Sequence, residues 1–112
     1  MGYVTYHTLD VMTADNSSEH PLKYEIIEAL RSENENAEYA HDEDGQTNND
    51  AKWYESAEEL KEFSLKYHDA LFVLDGDGEN SDDFWIAYIL NGKAQMCRCR
   101  IEYDEFNPAK LT

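Results

Sequence analysis

The chain has 112 residues, with 25 Asp and Glu against nine Lys and Arg, and a formal net charge of −16. That length suits one core and excludes a second, and 41% hydrophobic with 12% aromatic residues is too rich for a disordered acidic tail. The charge excludes direct binding to nucleic acid phosphates or an anionic membrane, both of which require clustered Lys and Arg, and favours a basic partner or a metal ion.

Met1 to Asp10 has no basic region followed by an apolar run, and no stretch approaches the ~18 apolar residues that span a bilayer, so a soluble, cytoplasmic protein is expected. Tyr3 to Met12 is rich in β-branched and aromatic residues and reads as a first strand. A polar loop runs to Pro21, which suits the first turn of a helix and places its cap among Ser18 to His20. Leu22, Ile26, Ile27, Ala29 and Leu30 then make a helical stripe to about Ser32. Glu33 to Asp50 is strongly polar; a short strand at Ala37 to His41, a turn at Asp44-Gly45 and a returning strand at Ala51 to Tyr54 are expected.

Ser56-Ala-Glu-Glu59 has the form of a capping box, opening a second helix with Ala57, Leu60, Phe63 and Tyr67 on one face. Leu71-Phe-Val-Leu74 is a continuous apolar run fit for a central strand. Two strands follow, Asp83 to Ile89 and Lys93 to Tyr103, joined at Asn91-Gly92, the strongest short hairpin signal because a type I′ turn needs positive φ twice. Residues 104–112 read as a frayed tail. The resulting fold class is α+β: a single domain over residues 1–112, a ferredoxin-like βαββαβ sandwich with an extra C-terminal hairpin and two helices on one face of an antiparallel sheet.

Cys97 and Cys99 share a strand face with Ile101 and Tyr103, opposite Met96, Arg98 and Arg100, and read as small buried residues; with four scattered histidines no zinc spacing appears. Asp75-Gly-Asp-Gly-Glu-Asn-Ser-Asp-Asp83 begins like a calcium loop, then fails it with Asn80 at the glycine position and Ile86 at the glutamate position. There is no nucleophile elbow, P-loop, dinucleotide fingerprint or HExxH helix, so no enzyme, metal or cofactor is expected. The charge, by contrast, is patterned. Residues 1–50 carry twelve acids and two bases, residues 75–83 add five acids, and residues 84–101 hold Lys93, Arg98 and Arg100 with no acid.

The runs Lys52-Trp-Tyr-Glu, Glu59-Leu-Lys-Glu-Phe-Ser64, Leu71-Phe-Val-Leu-Asp-Gly-Asp-Gly-Glu79, and Trp85 and Tyr88 ahead of Asn91-Gly-Lys-Ala-Gln95 resemble a family of small uncharacterised proteins of bacteriophages and mobile elements. That resemblance covers roughly the last 60 residues. It implies a setting in a bacterial host, where small acidic phage proteins include inhibitors of defence nucleases of anti-CRISPR or anti-restriction type, some of them nucleic acid mimics. The expected activity is stoichiometric occupation of a basic groove on a nucleic-acid-binding protein, such as a host nuclease or its complex. The candidate contact residues are Glu33, Glu35, Glu38, Tyr39, Asp42, Glu43, Asp44, Asp50, Tyr54, Asp75, Asp77, Glu79, Asp82 and Asp83. Trp53 and Trp85 are assigned to the core. The alternatives are an immunity-type or phage accessory protein that uses an open sheet face with Met96, Arg98 and Arg100, or a weak calcium module.

Overall fold

Alternation decides the first strand: Thr5, His7, Leu9 and Val11 are buried while Tyr6, Thr8, Asp10 and Met12 face the other way, giving β1 (Thr5–Thr13). The computed structural model describes residues 2–80 and 82–112. After β1 come three helices, α1 (Lys23–Glu33), α2 (Glu35–Ala40) and α3 (Ser56–Ser64), then three strands, β2 (Ala70–Gly78), β3 (Phe84–Leu90) and β4 (Lys93–Arg98). The architecture is α+β, a four-stranded antiparallel sheet in the order β1-β2-β3-β4.

This order departs from βαββαβ, and the reason lies between residues 34 and 55. The segment expected as a strand at Ala37 to His41 is helix α2: the Asn34 side chain accepts the Ala37 N–H at 3.0 Å, and Ala37 and Ala40, three apart, are fully buried. The expected returning strand makes one isolated bridge, Ala51 to Thr5. Without a strand pair there, the three helices form one long connection between the adjacent antiparallel strands β1 and β2.

One core joins Leu9 and Val11 of β1, Ile26, Ile27 and Leu30 of α1, Leu60 and Phe63 of α3, Phe72 and Leu74 of β2, and Ala87 and Ile89 of β3. Trp53 belongs to it and Trp85 packs against it, as their assignment to the core anticipated. Gly76 lies beneath the Trp85 ring, where a Cβ would come within 2.0 Å of the indole. No described helix lies on the sheet's other face.

Helix starts differ in detail. The cap of α1 is Leu22, whose N–H is accepted by His20 Nδ1 at 3.0 Å. The Ser56 to Glu59 capping box does not form: Glu55 is the cap residue of α3, and its side chain makes no capping bond. Glu59 instead accepts Trp53 Nε1 at 2.9 Å and Asn34 Nδ2 at 2.6 Å, tying α2 and the preceding loop to α3. Bonds to a charged acceptor are worth roughly 1.5–3 kcal/mol, so Glu59→Ala is expected to cost about 2 kcal/mol in urea unfolding, and Glu59→Gln distinctly less.

The hairpin forms as expected, with Asn91 at φ 47° and Gly92 at φ 80°. Strand β4 ends at Arg98 instead of running to Tyr103, and residues 99–112 are all exposed, with a single 3₁₀ turn at Pro108–Lys110. The radius of gyration, 16.5 Å, exceeds the about 13 Å of a compact chain this long, as a projecting segment requires. The cysteines are not buried in the core: Cys97 is half-buried, Cys99 exposed, and both are free. Their strand face is the open one, because Ile86 is the partner of Cys97 and Ala87, inside the core, is the partner of Met96. Met96 and Arg98 therefore share the helix-side face, and the open-face alternative loses the residues assigned to it.

Candidate functional site

The two edges of the sheet are treated oppositely by the chain. Along the outer edge of β1 the loops supply backbone partners. Thr5 and Ala51 exchange both hydrogen bonds, Thr47 Oγ1 donates to His7 O at 2.9 Å, and Leu9 N–H donates to Gly45 O at 2.8 Å. His20 N–H and Thr13 N–H continue the row to Val11 O and Ser18 O. This anchors an acidic loop along a strand about 26 Å long, at ~3.3 Å per residue.

That margin collects many of the candidate acids. Asp50 lies beside Thr5, and Asp44 precedes the Gly45 that pairs with Leu9. Glu43 and Asp44 line a shallow hollow with Glu28, Arg31 and Tyr24. Of the cations nearby, Lys23 Nζ lies 3.0 Å from Asp10 and 3.2 Å from Glu19, and Arg31 Nε donates to His41 O at 3.0 Å, while Lys52, two residues after Asp50, is exposed with no ion pair among the described residues. Glu35, Glu38, Glu43, Asp44, Asp50 and Asp82 are exposed, and no described side chain pairs with them. Tyr39 and Tyr54 are exposed too, at 54% and 62%.

Thr5 also pairs with Gly78 on its inner side, so the two acidic stretches meet around one residue. Asp50-Ala51 and Asp77-Gly78-Glu79 flank Thr5 about 10 Å apart, two strand spacings. The sequence separates these stretches by more than twenty residues, and only the β1 pairing reveals their contiguity.

Four candidates are spent on holding structure. Glu33 is ion-paired with Lys66, and Asp42 Oδ1 accepts the N–H groups of Asp44 and Gln46 at 2.9 Å each. Glu79 Oε1 accepts Val4 N–H at 2.7 Å. Asp83 accepts the Tyr3 hydroxyl and sits 3.3 Å from Arg98 Nη1; its carboxylate raises the Tyr3 pKa through that hydrogen bond. Such acids fix the loops that present the others.

Asp75 and Asp77 are not loop residues. They are in β2 on the open face, where the register sets Thr8, Asp75, Ile86 and Cys97 in one row and Tyr6, Asp77, Phe84 and Cys99 in the next. These rows line a hollow of about 520 Å³. Partial burial raises the Asp75 pKa, with Asp10 adding to the effect. Asp75 and Asp77 thus belong to a strand and not to the start of a loop, while Ser81 of the same segment lies outside the described residues, and among the described residues no group of three His, Cys, Asp or Glu side chains is placed to hold a metal ion. Sequence reasoning missed Tyr6, Phe84 and Ile86 here; the β-strand period of Asp75-Gly-Asp-Gly78 was the available signal. No described helix is long and apolar enough to cross a membrane. No protein-family model, curated protein or solved structure matches this chain.

Proposed function

We propose that the chain is a non-catalytic binding protein of the bacterial cytoplasm whose acidic β1 margin occupies a basic, nucleic-acid-binding groove on a partner protein, in the manner of a defence-nuclease inhibitor. The observation that carries this reading is the anchored row of unpaired acids from Asp50 through Asp44 and Glu43, with Lys23 and Arg31 beside it engaged internally. Acids fixed by backbone hydrogen bonds meet a basic surface without the ordering cost that a flexible acidic tail incurs. Exposed Tyr39 and Tyr54 add the aromatic contacts that charge alone lacks.

The test uses the immobilised chain and the heparin-binding fraction of a bacterial lysate, with duplex DNA as competitor. Capture is expected to weaken steeply with salt, to be displaced by DNA, and to fall about tenfold or more in Glu43→Gln/Asp44→Asn/Asp50→Asn. Retention that ignores both salt and DNA overturns the reading. A second reading, a protein-interaction module working through the sheet's open face, is favoured by the hollow between Tyr6, Phe84 and Ile86. Retention lost in Phe84→Ser but unaffected by the triple variant would support it instead.

A further inference from the structure

We propose that two copies of this chain associate by antiparallel pairing of residues Met96–Phe106, centred on Ile101, which joins their sheets through β4. The proposal goes beyond the acidic-margin reading and does not depend on it.

The edge supplies the first argument. Successive residues of an antiparallel strand direct their backbone groups to alternate sides. Cys99 N–H donates to Phe84 O at 2.9 Å, so the odd-numbered residues of β4 bond β3, and the N–H and C=O groups of Ala94, Met96 and Arg98 point to the outer edge. No described segment of the chain covers that edge, whereas the opposite edge of the sheet is lined by loops. A bare strand edge is a template for another strand.

The segment that follows supplies the second. It leaves the body with its large apolar residues in solvent, Ile101 at 59% exposure, Tyr103 at 91% and Phe106 at 78%. Its sequence, Met-Cys-Arg-Cys-Arg-Ile-Glu-Tyr-Asp-Glu-Phe, is complementary to itself when reversed. With Ile101 on the two-fold axis, Arg100 stands opposite Glu102 of the second copy, Arg98 opposite Asp104, and Met96 opposite Phe106. These pairs use the even-numbered residues, whose backbone groups point outward. On the other face Ile101 meets itself and Cys99 meets Tyr103. Moving the centre by one residue sets Arg100 against Arg100 or Glu102 against Glu102, and like charges directly opposite are destabilising. Pro108, which lacks an N–H, would fall opposite Ala94 and ends the ladder. Symmetric pairing of this kind closes on itself. It leaves both acidic β1 margins at the outer edges of the combined sheet.

The test is sedimentation equilibrium of the chain under reducing conditions, over a wide concentration range. A dimer that dissociates on dilution is expected, and Arg100→Glu should raise its dissociation constant about tenfold by setting two like-charged pairs face to face. The exchange Arg100→Glu/Glu102→Arg should restore the original value, and Cys97→Ser/Cys99→Ser should leave it unchanged. Because residues 100 and 102 are exposed in the monomer, urea unfolding of the monomer is expected to be the same for wild type, Arg100→Glu and the exchange variant. A chain that remains monomeric throughout, or an exchange that fails to restore association, overturns the proposal.

Discussion

Acidification from pH 7 to pH 4.5 is expected to destabilise the fold by up to about 2.5 kcal/mol through His7 alone. His7 is 1% exposed, with ring centroids 5.4 Å from Trp53 and 5.9 Å from Trp85, and burial with the nearby His41 lowers its pKa to about 4. His41, completely buried against the same indole, is shifted down too, chiefly by burial. His7 Nδ1 and His41 Nε2 are buried without a hydrogen-bond partner among the described residues. Each ring is therefore held neutral.

The sign follows from which state binds the proton. Between the ordinary histidine value of 6.5 and the folded value near 4, the unfolded chain takes up a proton that the folded chain refuses. The stabilising contribution is complete above pH 6.5 and is lost as pH falls towards 4. At about 1.36 kcal/mol per pH unit this gives the figure above, and His41 adds in the same direction. Urea unfolding of wild type and His7→Leu at pH 7 and pH 4.5 checks it. The variant should lose the His7 share of the pH dependence and keep that of His41, and equal slopes in the two proteins would refute the assignment.

Gly45→Ala is expected to cost about 3 kcal/mol or to prevent folding, since both its conformation and its surroundings exclude a side chain. Gly45 has φ +85°, and a Cβ there would lie 2.0 Å from Leu9 O. The same residue's carbonyl accepts Leu9 N–H, so relieving the clash breaks the contact that holds the acidic loop to β1. Thermal melting should show the loss. An Asp44→Ala control, altering only an exposed side chain, should melt near wild type.

The elements that could be read from sequence have patterns their own neighbours complete. The α1 and α3 stripes, the Leu71 to Leu74 run and the Asn91-Gly92 turn each carry their signal within a few residues, and each is present. Helix α2 was hidden because it buries only two alanines and displays Tyr39 to solvent, so its apolar signal is weak. Its Asn34 cap was the clue. Glu59 was misread because a carboxylate at a capping position can instead serve a distant indole, and only the packing of Trp53 decides which. The candidate site was legible as a list of acids. Which of them are spent on Val4, Tyr3 or Lys66, and which remain for a partner, depends on contacts between residues far apart in sequence.

A sheet with two bare edges can add copies of itself indefinitely, and filament growth needs both. Here the 41–51 loop and the 18–20 segment occupy one edge, through the backbone of Ala51, Gly45, His20 and Ser18 and the hydroxyl of Thr47. Any association through strand edges is thereby limited to a pair, because the far side of each molecule has no ladder to offer. The loop that carries the acids is at the same time the terminator of the sheet. A small chain with an exposed edge strand and a projecting apolar segment is protected from fibre formation by the side of the molecule farthest from both.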